Sequence, residues 1–418
     1  MFKGLNRASR LGGPVHLQAI RRRSASNGIP ILCITVHPFA KRTAEIRGTI
    51  RNLLPVIHSL LFRNLIILLL LSAAARAQVL GGRNVFAFLD LPAAPQLTAL
   101  GGVNVSQQTN DLSLSLLNPA LLRPSMHTHL QVNYAGYFAG VKYSHLAAGY
   151  HVPALQTTFA TSLQYVGYGD IPHTDAAGNV LGSFRPGDFA WQVTASRKYL
   201  EKWHYGINLK YIRSRYLEYR SSGIAADVGI AFQDTAQGWQ AGLVARNMGT
   251  QFTAYGGSVQ EPLPFDLQLG ISKRLQHIPL QLSATIHHAY QFDIRYADPD
   301  FDEGTVIENG DTVRAGGGTV DKIFRHFVLA AQFDVGKYVE LTAAYNHLRR
   351  RELALPDQQG MSGFSFGVGV VVNKLQLRFA RSWYQRTTAF NHLGISLPLN
   401  QWMGMGRLGE RIGWKQEQ

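Results

Sequence analysis

The side chains capable of chemistry in this chain are few and scattered. Asp298, Asp300 and Asp302 recur at alternate positions in Asp298-Pro-Asp-Phe-Asp-Glu-Gly304, the spacing with which calcium loops present carboxylates. An EF-hand also needs Gly at its sixth position and an acid at its twelfth; here those are Glu303 and Asn309. The run reads as a solvated acidic loop, with weak calcium organisation as the other reading and no metal assigned. His287 and His288 are adjacent, so on a strand they face opposite sides and cannot readily chelate one ion together. Arg349, Arg350 and Arg351 open a later loop, and Arg381 and Arg386 flank another turn. Guanidinium groups pair with phosphate bidentately, which makes lipopolysaccharide phosphates candidate partners; charges that merely solubilise a loop are the other reading. No nucleophile motif, phosphate-cradling Gly loop or His-Glu-x-x-His helix is present. Nothing here points to a catalytic group or a cofactor.

The elements that position these residues begin with a leader. Formal net charge is +15, a value that suggests nucleic acid. Residues 1–77, however, hold 12 of the 41 Lys/Arg and one of the 26 acids, leaving 29 basic and 25 acidic residues beyond them. The basicity belongs to the leader, and nucleic acid is dropped as a partner. Residues 63–77 read as a signal peptide: Arg63, an apolar run from Leu65 to Leu71, and an Ala75-Arg76-Ala77 box, with cleavage between Ala77 and Gln78. The run is too short to span a bilayer as a helix. Residues 1–62 read as a dispensable extension from a start codon placed too far upstream, with Arg21-Arg22-Arg23 as a possible targeting patch. Cys33, the single cysteine, falls within it, so an exported chain needs no disulfide.

Beyond the leader the recurring pattern has period two. Trp203, Tyr205, Ile207 and Leu209 alternate with His204, Gly206, Asn208 and Lys210; Phe265, Leu267, Leu269 and Ile271 alternate with Asp266, Gln268, Gly270 and Ser272. Strand side chains alternate between faces, so each strand has one apolar and one polar side. Fourteen such segments are predicted: 128–136, 139–150, 155–166, 186–198, 203–216, 221–233, 237–247, 264–274, 278–292, 322–334, 337–348, 362–373, 374–384 and 389–399. Most are as long as the 9–11 residues of a tilted membrane strand, rather than the 5–6 typical of a soluble sandwich. The long connections, 167–185, 248–263, 293–321 and 349–361, all follow odd-numbered strands, and every connection after an even one is short. Outer-membrane barrels sort their loops in this way, with the short turns periplasmic. The expectation is an all-β, transmembrane antiparallel barrel over 128–399, with both termini periplasmic. Glu261-Pro-Leu-Pro264 reads as a rigid entry into the eighth strand, and 400–418 as a polar tail.

Residues 78–127 are apolar in part and break at Asn118-Pro119, which suggests a hatch or plug in the lumen. Here a family resemblance enters. Gly82-Arg-Asn-Val-Phe-Ala-Phe-Leu-Asp-Leu-Pro92, Ala99-Leu-Gly-Gly-Val-Asn-Val105 and Asn118-Pro119-Ala120-Leu121, ahead of a 14-strand barrel, resemble the FadL-like outer-membrane family. Within that family these stretches, followed by Ser221 to Gly229, Arg246-Asn-Met-Gly-Thr250 and Glu261 to Lys273, resemble in their order and spacing the PorQ-like barrels of the type IX secretion system. That resemblance implies a non-enzymatic barrel in the outer membrane of a Gram-negative bacterium. It would anchor a PorZ-like surface protein of the complex that attaches cargo to lipopolysaccharide. FadL-like transport of hydrophobic small molecules is the alternative, and it predicts an apolar pocket between hatch and wall, continuous with a lateral opening. An outer-membrane enzyme, the third class, would need converging Ser, His and Asp groups that the sequence does not supply.

Overall fold

The computed structural model describes residues 84–256, 259–294, 306–308, 311–313, 319–352, 360–372, 375–384 and 388–399. The barrel strands are β1 (His129–Gly136), β2 (Lys142–Val152), β3 (Thr157–Gly167), β6 (Gly187–Tyr199), β7 (Trp203–Tyr216), β8 (Tyr219–Asp234), β9 (Trp239–Thr253), β10 (Asp266–Arg274), β11 (Leu280–Ile286), β14 (Phe327–Val335), β15 (Val339–Asn346), β16 (Phe364–Val372), β17 (Leu375–Trp383) and β18 (Ala389–Pro398). All fourteen pair antiparallel with both neighbours, and β1 closes the ring by pairing with β18 and β2. The hairpins β4 (Ile171–Thr174) with β5 (Val180–Phe184), and β12 (Val306–Glu308) with β13 (Asp311–Val313), lie outside the ring. No described helix is long and apolar enough to cross a membrane.

The alternation places the polar face inside. On β7, Ile207 and Leu209 are 49% and 60% exposed, whereas Asn208 and Lys210 are buried. A soluble protein would bury the first pair and expose the second; a barrel in hydrocarbon does the reverse. Closure follows from the same solvent, because an unpaired backbone N–H or C=O in the hydrocarbon costs several kcal/mol. Exposed rings mark both rims: Tyr150, Tyr199, Trp203, Trp239 and Tyr338 towards the short turns, and Tyr134, Tyr165, Tyr219 and Phe252 towards the long loops.

Three predicted elements differ. β11 stops at Ile286 because His288 adopts a left-handed φ of 53° and turns the chain. His287 and His288 therefore do not face opposite sides; their Nδ1 atoms share a hydrogen bond of 2.7 Å. Residues 319–324 form a short helix ahead of β14, not its first turn. β9 runs on to Thr253, past a bulge where Asp227 of β8 faces both Arg246 and Asn247.

The polar lumen is filled by the segment leading into β1. It comprises short 3-10 turns at Ala87–Asp90, Leu112–Leu116, Pro119–Leu121 and Pro124–Met126, and a helical turn at Pro95–Ala99. Its leucines do two things. Leu97, Leu100, Leu114, Leu117 and Leu121 pack on one another and on Ala231, Ala330 and Ala344, the small apolar residues of the inner wall. Its polar groups meet the wall's amides: Asn104 donates to Ser283 Oγ at 3.0 Å, Gln240 Oε1 accepts from Gln108 N at 3.0 Å, and Asn133 Nδ2 donates to the Ala93 carbonyl at 3.1 Å.

Asn118 organises the tightest contact. Its Oδ1 accepts from Ala120 N, capping the Pro119 turn, and its Nδ2 donates to the Val105 carbonyl at 2.8 Å. The wall behind it is the register pair Gly206 and Gly229. A Cβ on Gly229 would stand 2.0 Å from Asn118 Oδ1, so only glycine allows this approach. Asp111 supplies the strongest link. It accepts from Arg378 Nη1 at 2.6 Å, from Gln131 Nε2 at 2.9 Å and from Ser113 N at 2.9 Å, with both members of the ion pair buried.

Two outcomes follow from this packing. Gly229→Leu should overpack the Asn118 contact at a cost of about 1–3 kcal/mol. Amide exchange at Ala120 and Leu121 should then speed up while the barrel keeps its heat-modifiable gel mobility; unchanged exchange would contradict the contact. Asp111→Ala should lower stability to urea by about 3–5 kcal/mol, because it strips a buried guanidinium of its nearest carboxylate, and the double variant D111A/R378M should lose less than D111A alone. Strictly additive losses would show that the pair is not coupled.

Candidate functional site

At the long-loop end a cavity of about 490 Å³ opens between the start of the plug and the tips of β6 to β9. Asn84 to Phe88 form one wall. The other wall comes from residues that the strands deliver to one rim: Tyr168 just after β3, Asp188 near the start of β6, Ser214 and Tyr216 at the end of β7, Tyr219 at the start of β8, Tyr255 after β9, and Glu261. Phe86 takes a left-handed φ of 58° and lies against Gly223 of β8, where a Cβ would be 2.9 Å from its ring.

The cavity is aromatic, with two acids, Asp188 and Glu261, in its wall. Tyr168 and Tyr216 both donate to Asp188 Oδ2, at 2.5 and 3.1 Å. Their rings stand 5.6 Å apart, and Tyr255 meets Tyr216 edge-on at 5.7 Å. Asp188 is buried, and its Oδ1 has no hydrogen-bond partner in range among the described residues; Ser214 is its cross-strand neighbour. Burial, with the hydrogen bond to Asp188, holds the Tyr168 phenol well above its usual range, and burial pushes Tyr255 up to about 12. A phenol is already protonated at neutral pH, so these shifts only move both further from ionisation and both remain donors. With Asp188 and Glu261 in the wall, the site opposes an anionic ligand and suits a neutral or cationic one with an apolar body.

Beside the cavity the wall is not a continuous ladder. β10 begins at Asp266 opposite Arg246, so residues 247–253 of β9 pair only with β8. The chain before β10 fills that place through side-chain bonds: Asn247 Nδ2 to the Pro264 carbonyl at 2.8 Å, and Gln251 Oε1 from Glu261 N at 2.7 Å. Pro262 and Pro264 carry no N–H and cannot extend a ladder. Pro262 offers its carbonyl to Val85 N at 3.0 Å, which ties the plug to this seam. Below it, the buried Lys210–Asp227 pair at 2.8 Å, with Asn247 bonded to both, fixes the bulge. Deeper in the plug–wall seam, a cavity of about 10 Å³ among Leu89, Leu117, Lys210 and Arg246 has room for about one water.

Of the residues expected to matter, Asn118, Pro119 and Ala120 lie buried at the centre of the plug. Arg349 turns inward, against Gly102 and over the Tyr384 ring at 4.7 Å. Arg350 donates to the carbonyls of Gly360 and Ser362, and Arg351 pairs with Asp321 at 3.0 Å. Arg381 stands apart on the outer face of β17, beside Trp383. The four described arginines thus do not make one patch. Arg386, Asp298, Asp300, Asp302, Ala77 and Gln78 lie outside the described residues. Sequence reading missed Asp188; an acid followed by a period-two run shows that a strand begins there, but not that two tyrosines from other strands converge on it.

No protein-family model and no curated protein matches the chain. Solved structures similar to it include a mutant of the TodX monoaromatic hydrocarbon channel, at 11% identity and a TM-score of 0.43, covering 72% of this chain and 96% of that one. A Pseudomonas aeruginosa FadL homologue has 11% identity and a TM-score of 0.37, covering 77% and 98%. LpxR from Salmonella typhimurium has 9% identity and a TM-score of 0.27, covering 64% and 99%. At these levels the likenesses carry no statement about what this chain binds.

Proposed function

We propose that this chain is an outer-membrane barrel, short turns and termini towards the periplasm, that captures a small apolar molecule at its long-loop end in FadL-like transport. The observation that carries the reading is the aromatic cavity between plug and wall, next to the seam where β9 and β10 are not paired. An uncharged or cationic ligand fits better than a fatty-acid anion, because Asp188 lies at the cavity wall. Release past the plug would require the 84–92 stretch and its bond to Pro262 to move.

The test is binding of the neutral probe N-phenyl-1-naphthylamine to the purified full chain, followed by fluorescence, with laurate as the anionic comparison. Phe86→Ala combined with Tyr255→Ala should weaken probe binding about tenfold, the effect of losing roughly 1.4 kcal/mol of aromatic contact. Equal binding by wild type and variant, or stronger binding of laurate, would overturn the reading.

A second reading is favoured by a separate observation. The β4–β5 hairpin exposes Ile171, Val180 and Leu181, and the 319–324 helix exposes Val320, Ile323 and Phe324, all on the long-loop side. Such residues suit a protein contact. With the motif order from Gly82 to Lys273, they support a non-enzymatic anchor for a PorZ-like surface protein of the type IX secretion system. Affinity capture from detergent-solubilised outer membranes decides: one stoichiometric surface protein, lost in V180D/L181D, is expected on this reading. No such partner, with uptake lost on deletion of the gene, returns the case to transport.

A further inference from the structure

We infer that the outer face of the β7–β8 hairpin is a binding site for the phosphorylated headgroup of an outer-leaflet glycolipid of the lipid A type. Arg213 and Arg215 alternate outward on β7, and Arg220 on β8 is the register partner of Arg215. All three side chains are exposed. None forms an ion pair with a described residue, and the one acid of the connecting turn, Glu218, pairs with none of them. Directly opposed like charges on one face of a sheet repel. An anion between Arg215 and Arg220, with Arg213 diagonal to it, removes that repulsion.

The position on the wall argues for a lipid. Down the same face of β7 come Tyr211, Leu209 and Ile207, and Ile224 follows on β8, all exposed and apolar or aromatic. The three guanidinium groups therefore stand one step beyond the hydrocarbon belt, at the long-loop rim, where headgroup phosphates of the outer leaflet lie. Guanidinium forks match phosphate oxygens bidentately, and two forks from opposed strands can hold one phosphate from two sides. A soluble acidic protein would not need the arginines in register with the apolar belt. The site rests on the outer-membrane placement and is independent of what the aromatic cavity binds.

The experiment uses the full chain, washed free of glycolipid in detergent and titrated with fluorescent bis-phosphorylated lipid A or the same lipid without phosphates. Wild type should bind the phosphorylated form about tenfold more tightly, as expected for two charge-assisted forks. R215Q/R220Q should lose that preference, and R215K/R220K should recover part of it. Heat-modifiable gel mobility reports whether each variant keeps its barrel; if R215Q/R220Q fails to fold, the lysine variant alone must bind more weakly than wild type. Equal affinity for the two lipids, full preference retained in R215Q/R220Q, or displacement by polyglutamate at the same concentration as by lipid A would overturn the site. Loss of probe binding in the aromatic cavity would leave it untouched.

Discussion

In hydrocarbon, every backbone N–H and C=O must find a partner within the protein, and most of this structure can be traced to that requirement. It forces β1 to meet both β18 and β2, because an open edge would carry a row of unpaired groups. A closed ring of fourteen pleated strands then has an outside and an inside, and period-two alternation sends apolar side chains to one and polar side chains to the other. The inside is too wide for its own side chains to fill. The amides and charges of Gln131, Gln240, Gln332 and Arg378 therefore need partners, and the 84–128 segment provides them.

The plug is adapted to the wall at two scales. At the larger scale it is a succession of short helical turns, two of them capped by Asp111 and Asn118, whose ends leave backbone groups free to bond inward-facing side chains. At the smaller scale, bare backbone in the wall opposite Asn118 and Val105 lets the two segments approach within van der Waals distance. Gly242, like Gly229, has no space for a Cβ, which would fall 1.9 Å from the Val105 carbonyl. The buried Asp111–Arg378 and Lys210–Asp227 pairs then act as fixed points in the polar interior. A buried pair adds little net stability over a well-packed apolar substitute, yet removing one of its members is costly. The same packing leaves the mouth at the long-loop end incomplete, and the aromatic cavity forms where plug, β6–β9 tips and the Pro262–Pro264 seam meet.

Much of the barrel was legible from sequence because alternation and loop lengths are local properties. The period-two reading of 203–216 and 389–399 matches β7 and β18 to within a residue, and the partly apolar stretch ahead of β1 is the one that fills the lumen. What the sequence did not reveal depends on long-range register. The left-handed turn at His288 and the helix at 319–324 interrupt segments whose residue types are compatible with strands. Tyr143 and Tyr134 look alike in sequence, yet one is fully buried towards the plug and the other faces lipid. Arg349 reads as a loop charge until the structure shows it folded back onto Gly102. Asp188 gains its role only because Tyr168 and Tyr216 reach it from other strands.

Amide hydrogen exchange on the full chain in lipid nanodiscs tests the central claim, that the plug is an integral part of the barrel interior. Amides of residues 94–122 should be protected to a degree comparable with those of β7 and β8, and far better than those of the exposed 171–184 hairpin. Exchange of 94–122 as fast as that hairpin, with the barrel strands still protected, would contradict it.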